Sequence, residues 1–233
     1  MDSGFPNVSH EFRQFVDPSR LRGAMITHSH EDHAGNVALL AERGVPVSLP
    51  ALSRGVTERP APLALYRRWT WGSPDPTAFP LTTFTSDEFE LLPAPGHSRD
   101  HHVVWDKAEG TLFGGDLFIG VKVRVAHPGE DIRGTVASLR RVAELGPARF
   151  FDAHRGLVAR PMDSLQAKVQ WIEDTIGAIE DRHRAGANES QILRDVLGGE
   201  ALLGLASGGD YSRRNFVRSI VSSLVDPRPS VGA

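Results

Sequence analysis

The sequence predicts an α/β fold that is followed by a helical segment. Residues 21–26 form a short apolar run, residues 33–43 carry apolar residues at helical spacing, and residues 45–49 form a second apolar run. A strand, a helix and a strand in this order indicate an α/β sheet. From residue 164 onward the spacing of apolar residues is typical of helices alone.

The remainder of the α/β part contains an insertion and a second group of strands. Residues 51–88 are rich in proline, threonine, arginine and tryptophan, which predicts a mainly irregular segment with one short helix. Residues 107–110 include a glycine and form the turn of a predicted hairpin. Strands are expected at residues 89–93, 102–106, 111–114 and 148–152, and a helix at residues 132–145.

The C-terminal segment has the pattern of amphipathic helices. Helices are expected at residues 164–185, 189–197 and 213–224, and Asn188 with Gln191 forms a capping-box pattern before the second of them. We therefore expect residues 1–162 to form the α/β body and residues 163–233 to form a small helical region. The last residues, 227–233, are expected to fray.

Composition excludes several classes of protein. The hydrophobic content of 40% suits a folded globular chain, and the absence of cysteine excludes both disulfides and thiolate ligands. The net charge of −3 gives no overall positive field to recruit nucleic acid or a membrane surface. No apolar run resembles a signal peptide or a membrane span, so a cytoplasmic protein without membrane contact is expected.

A dense group of titratable residues follows the first predicted strand. The sequence THSHEDHAGN occupies residues 27–36. His28 and His30 are two residues apart in an extended segment, so their side chains face the same side. Asp32 and His33 lie where the next helix begins, displaced from that side. These four residues therefore predict ligands for two adjacent metal ions, and imidazole with carboxylate suits Zn²⁺, with iron or manganese as alternatives.

Three more candidate ligands lie at the ends of other predicted strands. His97 is in PAPGHS, Asp116 is in GGDLF and His154 is in DAHRG. Side chains at the ends of strands converge on one edge of a sheet, where α/β enzymes commonly bind ligands. A turn role for Asp116 and a plain surface role for His154 remain alternatives.

Other residues have two interpretations. Tyr66, Arg67, Arg68, Trp69 and Trp71 lie in the insertion and either contact substrate as a lid or form an aromatic patch that packs the loop down. His101 and His102 point to opposite faces at the start of a predicted strand, so at most one of them faces the predicted site. We expect them to support a metal ligand or to pack within the strand, rather than to bind metal. Two interpretations also apply to three arginines of the last predicted helix: they bind phosphate, or they form a solvent-exposed face of that helix. These residues are Arg213, Arg214 and Arg218.

The ordered motifs THSHEDH, PGHS, GGDLF and DAHRG resemble the metallo-β-lactamase superfamily of hydrolases, over roughly residues 2–160. Asp2-Ser3-Gly4 is similar to a turn that the family has after an early strand. The resemblance implies an αββα four-layer sandwich. It also implies one metal bound by His28, His30 and His97, a second bound by Asp32, His33 and His154, and Asp116 as the bridge.

The chain departs from the family pattern in two places. The family usually has two or more strands before the Asp-Ser-Gly turn, so the fold is expected to be N-terminally shortened, with an exposed strand edge that favours a homo-oligomer. The family also more often has proline and glycine, rather than Asp152 and Ala153, before the histidine at position 154.

The resemblance implies hydrolysis by a metal-bound hydroxide. Two Zn²⁺ ions per chain, about 3.5–4 Å apart, would share a water molecule and lower its pKa toward ~7. Asp32 would be both a ligand and the catalytic residue that orients the nucleophile. We expect a small ester, thioester or lactone as substrate. The alternatives are a phosphodiesterase or endoribonuclease of the same superfamily, which the net acidity disfavours, and a non-catalytic metal-stabilised binding module.

Overall fold

The computed structural model describes residues 1–16 and 20–225, without the side chain of Val225. Two compact units make up this structure. The first contains residues 1–93 and 100–115, and the second contains residues 94–99 and the chain from residue 116 onward. The boundary expected near residue 162 stays a prediction. The segment expected to fray, 227–233, lies outside the described residues.

The first unit begins with a 3₁₀ turn at Pro6–Val8 and carries short helices and strands. Its helices are α1 Ser9–Phe15, α2 Glu31–Ala34, α3 Val37–Glu42, α4 Ala51–Glu58 and α5 Leu65–Thr70. Its strands are β1 Ala24–Met25, β2 Val47–Ser48, β3 Phe89–Pro93, β4 His102–Asp106 and β5 Thr111–Phe113.

Both apolar runs that flank the first predicted helix contain a strand, as predicted. Strand β1 pairs with β2 in parallel, with Ala24 opposite Val47 and Met25 opposite Ser48. The intervening α3 buries the apolar side of its helical pattern, and Val37 and Leu40 are both 1% exposed. They pack in one apolar cluster with Ile26, whose burial fixes the strand that leads into the histidine run.

The single helix predicted at residues 33–43 is wrong, because α2 and α3 are separated at Gly35 and Asn36. The Asn36 side-chain amide donates to the carbonyl oxygen of Ser3 at 2.7 Å, and the Asn36 backbone N–H donates to Ser3 Oγ at 3.1 Å. At Gly35, an added Cβ would lie 2.3 Å from the Glu31 carbonyl oxygen. Close packing against the N-terminal turn therefore overrides the local helical spacing.

The insertion contains two short helices rather than the one that was predicted. Both α4 and α5 lie within residues 51–88, and proline precedes each of them, at Pro50 and at Pro62. The rest of the segment is mostly irregular, as predicted.

Strands β3, β4 and β5 form an antiparallel meander in the first unit. Phe89 pairs with Asp106, and Val104 pairs with Phe113. The predicted hairpin between β4 and β5 is confirmed. Its turn is shaped by Asp106, whose Oδ1 accepts the backbone N–H groups of Ala108 and Glu109, both at 3.0 Å.

The second unit contains a two-stranded hairpin and five helices within its described residues. The strands are β6 Arg149–Asp152 and β7 Gly156–Leu157. The helices are α6 Ile132–Glu144, α7 Pro161–Arg184, α8 Glu189–Leu197, α9 Leu202–Ala206 and α10 Arg213–Val225. The sequence pattern indicated neither β7 nor α9.

The core of the second unit lies between its long helices. Leu139 of α6, Leu165 and Ile179 of α7, and Ile220 of α10 are completely buried. The predicted capping box is confirmed, because the Asn188 side chain accepts the N–H of the third residue of α8 and that residue's side chain reciprocates.

The three arginines of α10 are engaged inside the second unit. Arg213 donates to the carbonyl oxygens of Leu197 and Gly199, at 2.9 and 3.1 Å. Arg214 and Arg218 both pair with Glu189. Among the residues that the structure describes, no helix has the length and apolar character that a bilayer crossing requires.

Candidate functional site

The seven predicted metal ligands are distributed over both units. His28, His30, Asp32 and His33 belong to the first unit, and His97, Asp116 and His154 belong to the second. The first four residues come after strand β1 in the chain. His97 comes after β3, Asp116 after β5 and His154 after β6.

His28 and His30 converge in the loop between β1 and α2. His28 Nε2 lies 3.0 Å from His30 Nδ1, and the His28 ring is fully buried. On its other side, His28 Nδ1 lies 3.0 Å from Thr27 Oγ1, which fixes the orientation of the ring. Two imidazole nitrogens at this distance can share a proton or bind one cation.

Asp32 and His33 lie next to this pair on α2. His33 Nε2 is 3.7 Å from Asp32 Oδ2, and the His33 side chain is 3% exposed. His33 Nδ1 is 2.9 Å from Asp2 Oδ2, while Asp2 Oδ1 accepts the backbone N–H of Thr27 at 2.8 Å. A carboxylate only accepts hydrogen bonds, so Asp2 fixes the proton on Nδ1 and leaves Nε2 as the nitrogen that can bind a metal.

Asp100 supports the same loop and was not identified from the sequence. Its Oδ2 accepts the backbone N–H of Ser29 at 2.9 Å and the hydroxyl of Ser53 at 2.7 Å. The signal that points to it is its place in PGHSRDH, beside two more histidines. His101 is fully buried with its ring centroid 5.0 Å from that of His28, whereas His102 Nδ1 lies 2.9 Å from the Asp100 carbonyl oxygen.

Glu31 lies between the predicted ligands His30 and Asp32 and pairs with the insertion. The Arg67 guanidinium donates to both Glu31 carboxylate oxygens, at 2.5 and 2.7 Å. Arg67 is 8% exposed and Glu31 is 3% exposed, so the pair is buried. Helix α5 is thereby fixed beside the ligand loop.

Four of the five insertion residues with a predicted substrate role differ in exposure, and they are Tyr66, Arg67, Trp69 and Trp71. Arg67 is buried against Glu31 and lies 5.8 Å from the centroid of the Trp71 ring, and Tyr66 is in edge contact with the same ring. These contacts match the interpretation in which the loop is packed down. Trp69 is 87% exposed on α5 and presents an aromatic surface to solvent. A substrate role for these residues stays a prediction.

His97 is fixed by a glycine turn and a carboxylate of the second unit. Gly96 has φ +145°, and a Cβ at this position would lie 2.4 Å from the Thr135 backbone nitrogen, so only glycine fits. His97 Nδ1 lies 3.3 Å from Glu130 Oε1. No sequence motif marks Glu130, whose carboxylate faces Nδ1 of His97 as the Asp2 carboxylate faces Nδ1 of His33.

Asp116 lies between the two histidines of the second unit. Its Oδ2 is 3.4 Å from His97 Nε2, and its Oδ1 is 3.0 Å from His154 Nε2. Asp116 is buried, whereas the His154 side chain is 42% exposed. One carboxylate therefore faces a different imidazole with each oxygen, as expected of a bridging ligand.

The donor atoms fit a divalent metal. They are imidazole nitrogens and carboxylate oxygens with no sulfur, and they lie in pairs 3.0 to 3.7 Å apart within each unit. Zinc, iron and manganese all accept such donors. Asp2 and Glu130 supply the carboxylates that commonly orient metal-binding histidines.

Comparison with known proteins agrees with these motifs. Residues 1–154 match the family model of the metallo-β-lactamase superfamily. Similar proteins include a hydroxyacylglutathione hydrolase of Halorhodospira halophila, 40% identical over 54% of this chain and 44% of that protein. Another is the β-lactamase-like protein 2 homolog of Drosophila melanogaster, 27% identical over 61% of this chain and 47% of that protein. The chain thus spans about half the length of these relatives.

Solved structures show the same fold. A metallo-β-lactamase family protein from Thermus thermophilus superposes with a TM-score of 0.66 over 97% of this chain and 84% of that one, at 16% identity. The crystal structure of TTHA1623 in a di-iron-bound form gives a TM-score of 0.50 over 64% of this chain and 75% of that one, at 29% identity. The predicted fold class is confirmed, and the chain belongs to the metallo-β-lactamase superfamily.

Proposed function

We propose that this chain is a hydrolase that uses two divalent metal ions. In this proposal His28, His30 and His97 bind one ion and Asp32, His33 and His154 bind the second. Asp116 bridges the two ions. Zinc is the first choice, and iron is supported by the di-iron form of TTHA1623.

One observation carries the proposal: the Asp116 carboxylate has one oxygen toward His97 and the other toward His154, at 3.4 and 3.0 Å. The two histidines are assigned to different ions.

The chain's own residues would prepare the site before substrate binds. Asp2 and Glu130 would hold His33 and His97 with Nδ1 protonated, and the Asp100 carboxylate accepts the backbone N–H of Ser29. Asp32 would accept a proton from the attacking water and orient it toward the substrate carbonyl. Bound metal ions would lower the pKa of that water toward ~7 and stabilise negative charge on the substrate oxygen.

The proposed substrate is a small thioester, ester or lactone. Two relatives are named hydroxyacylglutathione hydrolase, and an acyl group on glutathione is a thioester. The net charge of −3 disfavours nucleic acid, because phosphate contacts with basic residues dominate such binding. We therefore propose a small-molecule substrate, and self-association of the chain is a separate proposal to be tested by light scattering.

The experiment is to load metal-free protein with zinc, iron or manganese and to measure metal ions per chain. Each form is then assayed with thioester, lactone, phosphodiester and β-lactam substrates. We expect two ions per chain and turnover of thioesters or lactones. Turnover confined to phosphodiesters, with a steep loss of binding in salt, would indicate a nuclease instead. Bound metal without turnover of any class would indicate a binding module.

Matched variants test the assignment of ligands. Asp32→Ala and His97→Ala should each lower metal content and abolish most turnover. Asp87→Ala and His10→Ala change exposed residues of the same types and should leave both unchanged. Full metal content and activity in Asp32→Ala and His97→Ala would show that the ligands are wrongly assigned.

A further inference from the structure

The buried carboxylate of Asp152 contacts two turns that carry predicted ligands. Its Oδ1 accepts the backbone N–H groups of His154 and Arg155, both at 2.9 Å. Its Oδ2 accepts the backbone N–H of Ile119 at 2.5 Å. Ile119 is three residues after Asp116. The Asp152 side chain therefore connects the backbone segment that carries Asp116 to the turn that carries His154.

The turn at Ile119 is strained and needs this support. Ile119 has φ +52°, a left-handed conformation that is costly for a β-branched residue. The N–H of Gly120 donates to the Phe118 carbonyl oxygen at 2.5 Å, which closes a three-residue turn around Ile119. The Arg155 side chain also donates to the Ile119 carbonyl oxygen. Such a conformation persists only when surrounding contacts determine it.

Lys168 completes the support from helix α7. Its ammonium group donates to the carbonyl oxygens of Phe118 and Gly120, the latter at 3.0 Å, so it holds both ends of the turn. The side chain is 4% exposed. A buried ammonium group is costly unless it is paired, and Asp152 has the largest effect among the acidic groups that favour its charge.

We propose that Asp152 and Lys168 are positioning residues that hold Asp116 and His154 in place before metal binds. Asp152 connects the turn at Ile119 to the turn at His154. Lys168 holds the turn at Ile119 by donating to the carbonyl oxygens of Phe118 and Gly120. Their effect on metal binding rests on the proposed function, whereas their effect on the backbone does not.

The proposal also explains a departure from the family pattern. The sequence has Asp152 and Ala153 before His154, where the family more often has proline and glycine. A proline and glycine turn is set by backbone preference. Here the aspartate side chain sets the turn by accepting the two N–H groups that follow, and its second oxygen reaches Ile119.

Backbone hydrogen exchange of the metal-free full chain tests the proposal directly. In Asp152→Asn one carboxylate oxygen becomes an amide N–H donor. We expect exchange at the Ile119 and His154 amides to rise by at least about tenfold, and by more than exchange at amides elsewhere in the second unit. The control is Asp181→Asn, which changes a side chain that is 70% exposed on α7. Unchanged exchange at both amides would overturn the proposal.

A second variant keeps the test decisive if Asp152→Asn does not fold. Lys168→Met removes the ammonium group with a side chain of similar length, and Lys122→Met is the control at an exposed lysine. We expect faster exchange around Ile119 in Lys168→Met only. Unchanged exchange in this variant also overturns the proposal.

Metal titration then separates this proposal from the proposed function. With zinc added, both variants should lose zinc affinity by about 10- to 100-fold, as is typical when residues that support metal ligands are removed. A wild-type chain that binds no metal would refute the proposed function, while the exchange data still decide the positioning role. Normal zinc affinity in both variants would refute the positioning role alone.

Discussion

The Asp2 carboxylate lies 2.9 Å from Nδ1 of His33, although the two residues are 31 positions apart. Asp2 itself is held by the backbone N–H of Thr27 and has φ +48°, so the turn at the start of the chain is shaped to present this side chain. The proton is thereby fixed on Nδ1, and His33 Nε2 is available to a metal.

The first prediction concerns this contact. In Asp2→Asn the amide oxygen still accepts from Thr27, but the amide N–H₂ group cannot accept from His33 Nδ1. We expect the affinity for the ion that is assigned to His33 to fall by about 10- to 100-fold. Competition titration with a zinc chelator measures this, with Asp87→Asn as the exposed control. Equal affinities in the two variants would contradict a role for Asp2 in orienting His33.

The second prediction concerns the buried pair of Glu31 and Arg67. Arg67→Met leaves the Glu31 carboxylate buried without its bidentate partner, so the free energy of unfolding should fall by about 3–5 kcal/mol. The adjacent Arg68 is exposed, and Arg68→Met should change stability by no more than about 0.5 kcal/mol.

A double variant separates loss of the pair from loss of packing. Adding Glu31→Gln to Arg67→Met removes the buried charge and should recover part of the lost stability. Urea unfolding of the four proteins gives all these values. If Arg67→Met and Arg68→Met were equally stable, the pair would not contribute as the structure indicates.

Local sequence patterns predicted the convergence of two candidate metal ligands in the loop between β1 and α2. The two-residue spacing of His28 and His30 predicted that their side chains converge, and their ring nitrogens lie 3.0 Å apart. Strands at residues 89–93 and 102–106 were also predicted with their observed bounds. These features depend on contacts between near neighbours or on strongly apolar runs, both of which are readable along the chain.

Contacts between distant residues were not predictable in this way. Asp100 reaches Ser29 across 71 positions, and Arg67 reaches Glu31 across 36. The sequence around Asp100 and around Arg67 contains no pattern that identifies these distant partners. The division of residues 33–43 into two helices has the same origin, because Asn36 bonds to Ser3 rather than extending the helix.

The third prediction uses the pH dependence of stability. Burial lowers the pKa of Lys168 from 10.5 to about 8, against the opposing effects of Asp152, Glu130 and Asp116, with Arg155 also lowering it. Between these values the unfolded chain binds more protons than the folded chain. Stability due to this group therefore rises with pH across that window, by about 3 kcal/mol in total at about 1.4 kcal/mol per pKa unit.

Urea unfolding at pH 7.5, 9 and 10.5 tests this sign. The stability of wild type relative to Lys168→Met should increase over the series, because methionine has no proton to release. Lys122→Met is the control, and the stability of wild type relative to it should stay constant, since Lys122 is exposed. A constant difference between wild type and Lys168→Met would show that the lysine titrates in its ordinary range.

The fourth prediction concerns the exposed ring of Trp69. Helix α5 is fixed beside the ligand loop by Arg67 and Glu31, and Trp69 is 87% exposed on that helix. Removing a side chain this exposed should leave stability within about 0.5 kcal/mol of wild type, so any kinetic effect reports contact with substrate. If the ring contacts the acyl part of a small thioester, Trp69→Ala should raise KM several-fold with kcat nearly unchanged, because binding in the ground state and the transition state is lost equally. Leu205→Ala provides the control, since Leu205 is 73% exposed on a helix of the second unit. Equal KM values for Trp69→Ala and wild type would exclude the ring from the substrate site and favour the interpretation in which the insertion is only packed down.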